Sequence, residues 1–399
     1  MIGCFDSKAE EFSYLHTCLH KIGLQPITIN TGIFDSPVDF AIDYSAEEVA
    51  GAAGASLDDL RTSGDRGAAV EKMGIGAYRL ITNLLTTQVI SGGIGMGGGG
   101  GTYITLSAMQ AIPLGIPKVC LSTIATKDLS RQIGNKDMTL IPSIVDIAGL
   151  NHISRLLISQ AAGALSGMIS CSDVVPSETT GSIAISIFGN TTPCVDKCAR
   201  ILKSKGYEVL TFHAVGVGGE AMESLIREGA FDAVLDITTT ELADHLCEGI
   251  CSAGPERLTA ASDMGIPQVV VPGCLDMVNY GQVDTVPERF KDRLLYSWAP
   301  DVTLMRTNEE ENRTLGKSLA LKVNRSKGPA TILLPLKGIS QVSSEGGVFY
   351  KPEIDRILFD TIKHHVQDHI AIHEIDASIN DDAFAEQAVE KLLALINKR

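Results

Sequence analysis

Apolar residues fall in short runs along most of this chain, each closed by glycine, proline or hydroxyl residues and followed by a mixed stretch with helical spacing. "GIPKVCLS" (115–122), "FDAVLDI" (231–237) and "GIPQVVVPG" (265–273) read as buried strands, as does "TTQVI" (86–90) ahead of a glycine run. "DHIAIHEID" (368–376) alternates as a strand does. "AIDYSAEEVAGAAGASLDDL" (41–60) reads as helix plus loop, and "LNHISRLLISQAAGALSGMI" (150–169) as the longest apolar helix. The tail "DDAFAEQAVEKLLALINKR" (381–399) places acidic residues early and basic residues late, as a helix dipole favours. Strands alternating with helices predict α/β units, each a parallel sheet covered on both faces.

The pattern occurs twice. "LHKIGLQPITINTG" (19–32) matches "LKSKGYEVLTFHAVG" (202–216), and "MQAIPLGIPKVCLSTIA" (109–125) matches "LTAASDMGIPQVVVPGC" (258–274). Between these landmarks the first half carries an insertion around 35–67. Internal duplication of this kind predicts two Rossmann-like parallel-sheet domains, 1–177 and 178–399, with a ligand cleft between them. The boundary is expected in the turn-rich "SCSDVVPSETTG" (170–181).

Charge then removes several functions. A net charge of −15 argues against a nucleic-acid surface or an anionic membrane as partner, and 5% aromatic residues offer few stacking platforms for single strands. Helix 150–169 contains His152, Arg155 and Gln160, too polar for a membrane span. Its cluster of Ala161, Ala162, Gly163, Ala164 and Gly167 suits close helix packing, and a homodimer is expected. The opening "MIGCFDSKAEE" reaches charge too soon for a secretory leader, and nine cysteines form no dense framework, so a cytoplasmic location with free thiols is expected. Cys194/Cys198 and Cys247/Cys251 share an i,i+4 spacing, but further zinc ligands do not stand nearby, and no metal site is assigned to them or to His369 and His373.

Candidate chemistry centres on "SGGIGMGGGGGTYIT" (91–105). An anion cradle, a tight packing turn and a linker are all open, but a strand before and a helix after disfavour the linker. Glycine permits close backbone approach, and a helix N-terminus offers unpaired N–H groups to an anion. Gly95, Gly97, Gly98, Gly99, Gly100 and Thr102 are therefore candidate nucleotide-phosphate contacts. No Gly-Lys-Ser/Thr follows, so cationic help must come from elsewhere. Asp6 and Lys8 lie beyond the first strand, and Arg66 stands in "GDRG" at a helix start; a surface ion pair with Asp65 is the alternative for Arg66.

In the second half, Gly216, Gly218 and Gly219 form a similar loop. Thr238, Thr239 and Thr240 precede a helix, as caps or as ligand contacts, and Asn279 is placed beyond another strand. His213, Glu241 and Asp276 are candidate acid–base residues if the protein is an enzyme acting on a small phosphorylated or carboxylated metabolite. A nucleotide-binding protein and a non-catalytic interaction module stabilised by nucleotide are the competing readings.

"DSKAEE", "GDRGAAV", the glycine run, "VDIAGLN", "FHAVGVGGEAME", "LDITTTELAD", "GIPQVVVPGCLDMVNYG", "TLMRTNEEE" and "LLPLKGIS" together carry a resemblance. They are similar, in order and over the whole chain, to an uncharacterised bacterial and fungal protein family. That family also forms the amino-terminal region of the tomato mosaic virus resistance protein. The resemblance implies two Rossmann-like subdomains, dimerisation, and binding of ATP or a related nucleotide with Mg²⁺. The chain departs from the family at Thr126-Lys127-Asp128, Tyr350-Lys351 and Ser378, so no catalytic role is carried over to those positions.

Overall fold

Five glycines in a row would ordinarily be read as loop, yet the glycine run is split between a strand and a helix. Gly93–Gly97 is the central strand of a five-stranded sheet, and Gly99–Met109 is the helix that follows it. Thr86 and Thr87, expected to open a strand over 86–90, instead close a 22-residue helix, and Val89 of that stretch lies outside the described residues. Small residues suit the true strand for a steric reason. A Cβ on Gly95 would lie 2.7 Å from the Thr105 hydroxyl and 2.8 Å from the Ile2 carbonyl. Helix and neighbouring strand approach that closely only because the strand is bare.

The computed structural model describes residues 1–88, 90–171 and 179–398. The chain divides into two compact units, Met1–Pro176 and Ser177–Arg399. The turn-rich stretch 170–181, expected to hold the boundary, falls mostly on residues 172–178, outside the described residues.

In the first unit the strands are β1 (Ile2–Gly3), β2 (Ile29–Asn30), β3 (Gly93–Gly97), β4 (Lys118–Ser122) and β5 (Met138–Pro142). All pair in parallel, in the order β2-β1-β3-β4-β5. The helices are α1 (Ala9–Lys21), α2 (Ala46–Ala52), α3 (Leu57–Ser63), α4 (Arg66–Thr87), α5 (Gly99–Met109), α6 (Ser130–Ile133) and α7 (His152–Ser170). The insertion read around 35–67 supplies α2 and α3, whose Val49, Leu57 and Leu60 pack with Ala69, Met73 and Ala77 of α4. On the other sheet face α1 and α7 share a second core, with Phe12, Leu15, Ile158, Ala161 and Ala162 buried against Ile94 and Val119. The small residues of α7 thus divide: Ala161 and Ala162 turn into their own unit's core, while Gly163 and Gly167 face open space.

The second unit repeats the plan with an addition. Strands β6 (Gly181–Ile187), β7 (Tyr207–His213), β8 (Ala233–Thr238) and β9 (Gln268–Gly273) precede a hairpin excursion. That excursion, β10 (Met277–Tyr280), β11 (Leu295–Ala299) and β12 (Val302–Arg306), makes a separate antiparallel sheet. The chain then returns through β13 (Ala330–Pro335) and β14 (Ala371–Ile375). The parallel sheet runs β7-β6-β8-β9-β13-β14, the same strand order as in the first unit with one strand more. The helices are α8 (Thr192–Ser204), α9 (Val217–Arg227), α10 (Thr240–Cys247), α11 (Ala260–Met264), α12 (Glu309–Val323), α13 (Pro352–His365) and α14 (Asp382–Ile396). Cys194 and Cys198 sit on the buried face of α8 with Ala385 and Ala388 of α14. All nine cysteines are free thiols. Among the described residues no helix is long and apolar enough to cross a membrane.

Candidate functional site

In both sheets the order reverses beside the first strand of the unit, so connections leave β1 and β3 toward opposite faces. Open α/β sheets bind ligands at such a switch point, beyond the carboxyl ends of the strands. A cavity of about 500 Å³ opens there in the first unit, a volume suited to a small-molecule ligand. Its floor and walls include Asp6 and Lys8 after β1, Gly32–Phe34 after β2, and Gly97–Gly101 after β3. Arg61, Asp65 and Arg66 come from the α3–α4 corner, and Leu60, Val70, Met73 and Ile104 make the apolar side.

The glycines at this edge are not needed for backbone conformation. Gly98 has φ −76°, and none of residues 97–101 has positive φ. Only Gly97 is forced by packing, since a Cβ there would lie 2.7 Å from Gly101 Cα. A Cβ on Gly99 would meet nothing within 4 Å, and one on Gly100 would graze Val70 at 3.3 Å and approach the Arg66 guanidinium at 3.8 Å. Three glycines in the first turn of α5 therefore cost helix stability, about 0.5–1 kcal/mol each in a helix interior, with no local return. They keep the first N–H groups of the helix bare. Thr102 N–H is the first to close an intrahelical bond, to Gly98 at 2.8 Å, and α5 has no side-chain cap. Helix α1 also starts uncapped, at Lys8 on the same cavity. The α5 N-terminus thus presents bare donors to a cavity that the N-cap residue of α1 also lines.

The charged groups around this edge differ in how free they are. Arg66 is exposed and makes no hydrogen bond or ion pair among the described residues. The alternative pairing with Asp65 is absent, because Asp65 caps α4 by accepting from Ala68 N–H at 3.0 Å. Lys8 is partly engaged, its ammonium donating to the Ile147 carbonyl. Asp6, which lines the cavity, accepts from Phe34 N–H at 3.1 Å through Oδ2, and its Oδ1 has no partner among the described residues. Thr102 and Gly95 do not join the group. The Thr102 hydroxyl is buried, 2.7 Å from Ser122 Oγ and 3.2 Å from the Gly97 carbonyl it donates to, and so ties α5 to β4. Gly95 is mid-strand.

The corresponding edge of the second unit is filled from within. Gly216, at φ +89°, and Gly219 turn their N–H groups onto the Glu241 carboxylate at 2.8 and 3.1 Å. A Cβ on Gly219 would lie 2.1 Å from Glu241 Oε2. Arg257, fully buried, donates to Glu241 at 2.5 Å and forms a two-pronged pair with Asp236 at 2.6 and 2.7 Å. Burial raises the Glu241 carboxyl above the usual range, and Arg257 works against that rise. An internal carboxylate thus takes the place at the start of α9 that an external anion would take. The threonines are also spent internally. Thr238 Oγ1 meets Thr191 Oγ1 at 2.7 Å, Thr239 donates to the Val271 carbonyl, and Thr240 faces Asp244 at 3.5 Å.

Asn279, expected beyond a strand, lies inside β10, where Asp244 holds it at 2.8 Å. The three acid–base candidates are not brought together as a reactive set. His213 is exposed and stacks on Phe188, Glu241 is locked to Arg257, and Asp276 is buried with Ser340 donating to it at 2.8 Å. Burial also raises the Asp276 carboxyl. Gly218 packs on the His213 carbonyl, to which a Cβ would come within 1.9 Å.

Family models match both units: the N-terminal domain of the uncharacterised protein family UPF0261 over residues 1–173, and its C-terminal domain over 180–396. The chain belongs to UPF0261. It is 45% identical over 399 residues to a UPF0261 protein of Clostridium tetani, covering 100% of this chain and 98% of that one. A UPF0261 protein of Rhizobium meliloti is 39% identical over 394 residues, covering 98% and 96%. The ToMV resistance protein Tm-1(GCR237) of Solanum lycopersicum is 33% identical over 418 residues, which is 100% of this chain and 55% of that protein.

Within this UPF0261 chain, sequence reasoning missed the cavity's far wall. Phe34, Leu60, Arg61, Val70 and Met73 sit on the insertion and its flanks, where no repeat partner flags them. It also missed Arg257 as the partner of Glu241. A basic residue in "GPERLTA" gives no local sign that three carboxylates, on β8, α9 and α10, will converge on it.

Proposed function

We propose that this UPF0261 protein binds a nucleotide such as ATP through its first unit. The phosphates would lie on the bare amides at the start of α5, with the free Arg66 guanidinium bridging two phosphate oxygens. Arginine's planar fork suits that geometry, and it replaces the lysine a P-loop would supply. One observation carries the reading above the others: glycines 98–101 are demanded neither by φ nor, beyond Gly97, by packing, and they border an open cavity. A packing turn would need its glycines for its own backbone.

Mg²⁺ fits beside such phosphates. It is commonly held by one or two carboxylates together with phosphate oxygens, and Asp6 offers an unpartnered carboxylate oxygen at this cavity. The ion would offset the acidity of the chain, whose net charge is −15. The second unit would contribute no equivalent anion site, since Glu241 already occupies its glycine loop. Calorimetric titration of the full chain with Mg–ATP tests this. Saturable binding of one nucleotide per chain is expected; no binding at millimolar nucleotide would overturn it.

A further inference from the structure

Phe34 is 62% exposed, yet the backbone around it is held by three hydrogen bonds. Gly32 N–H donates to Asn30 Oδ1 at 3.0 Å, Phe34 N–H donates to Asp6 at 3.1 Å, and Arg61 donates to the intervening Ile33 carbonyl. Gly32 permits this, because a Cβ there would lie 2.4 Å from Asp6 Cγ. An exposed phenylalanine alone is ordinary. One whose backbone is held at the rim of a cavity, with no ring partner among the described residues, is less so. The loop's ordering cost is already met in the folded chain, so a ligand ring would find a preorganised flat surface.

We propose that Phe34 is the stacking platform for the base of the bound nucleotide, with Ile33, Leu60 and Val70 forming the apolar surroundings of that end of the cavity. This rests on the reading of the cavity as a nucleotide site, and it makes the ligand a base-bearing phosphate rather than a bare polyphosphate. Phosphates bind at Gly98–Gly101 and Arg66; the aromatic face supplies selectivity for the ring. Stacking on an aromatic side chain tolerates every base, because each has a π-face. Selection among bases is therefore expected to be weak.

Two probes separate the two ends of the site: Mg–ATP and inorganic tripolyphosphate, each titrated into the full chain. Phe34→Ala is expected to weaken ATP about tenfold and to leave tripolyphosphate affinity unchanged. Phe34→Trp should restore ATP binding, and Arg66→Ala should weaken both probes. Thermal melts without ligand check that each variant folds, which the exposure of both side chains favours. Equal loss of both probes in Phe34→Ala, or no loss of ATP, would overturn the stacking role while leaving the phosphate site standing. Failure of the unaltered chain to bind either probe would overturn the nucleotide reading and this inference with it.

Discussion

Replacing Gly99 with alanine should raise stability and lower nucleotide affinity at once. The added methyl would meet no protein atom within 4 Å, so it introduces no clash. It removes a flexible glycine from the first turn of α5, which stabilises by about 0.5 kcal/mol. For units of this size that corresponds to about 1–2 °C in Tm without ligand. The same methyl projects into the space where the α5 amides would hold phosphate. Displacing one charge-assisted hydrogen bond costs about 1.5–3 kcal/mol, so Mg–ATP affinity should fall roughly ten- to 150-fold. Gly97→Ala is the contrasting control, since its Cβ would lie 2.7 Å from Gly101 Cα; it should lose about 1–3 kcal/mol by overpacking. Thermal melts and calorimetric titrations of both variants provide the readouts. A destabilised Gly99→Ala, or one that binds Mg–ATP with unchanged affinity, would refute the reasoning.

Arg66→Ala should weaken Mg–ATP by about 1.5–3 kcal/mol, the scale of a charge-assisted hydrogen bond, with an unchanged melt; calorimetry decides it. Glu241→Ala should destabilise the second unit by about 3–5 kcal/mol, because it leaves part of a buried ion network unpaired. Trp298, the chain's one tryptophan, lies in β11 and reports denaturant unfolding of that unit. Burial pushes the carboxyls of Asp244 and Asp355 up to about 7, against an unfolded value near 4. The folded state therefore holds more protons than the unfolded one between about pH 4 and 7, and stability is lost as pH rises through that window. The Trp298 unfolding midpoint should be highest at about pH 4 and decline toward about pH 7 before levelling; a midpoint that rises over this range would contradict the assignment.

Alternation of apolar strand and amphipathic helix, repeated in both halves, was enough to read two parallel α/β units. Gly-Ile-Pro marks the entry to β4 and β9 alike, and that landmark survives because each strand is buried on both faces. The β10–β12 sheet was not legible, as its strands are short and one, Met277–Tyr280, follows β9 after only three residues. At the site, Asp6, Lys8, Arg66 and Gly97–Gly100 were legible because each marks the start of a helix after a strand or turn. Thr102, Thr238 and Thr239 share those signals, but their hydroxyls are taken up by Ser122, Thr191 and Val271, all distant in the chain, a long-range fact no local pattern carries. The same holds for Glu241: a glycine loop at a helix start invites an anion, and only the fold reveals that the anion is the chain's own.

The most direct measurement is a crystal structure of the full chain grown with Mg–ATP. Phosphate oxygens within about 3 Å of the amides of Gly99–Gly101, with the Arg66 guanidinium on the same phosphates, are the expected result. Phosphates bound away from Gly98–Gly101, or a cavity left empty at saturating nucleotide, would contradict it.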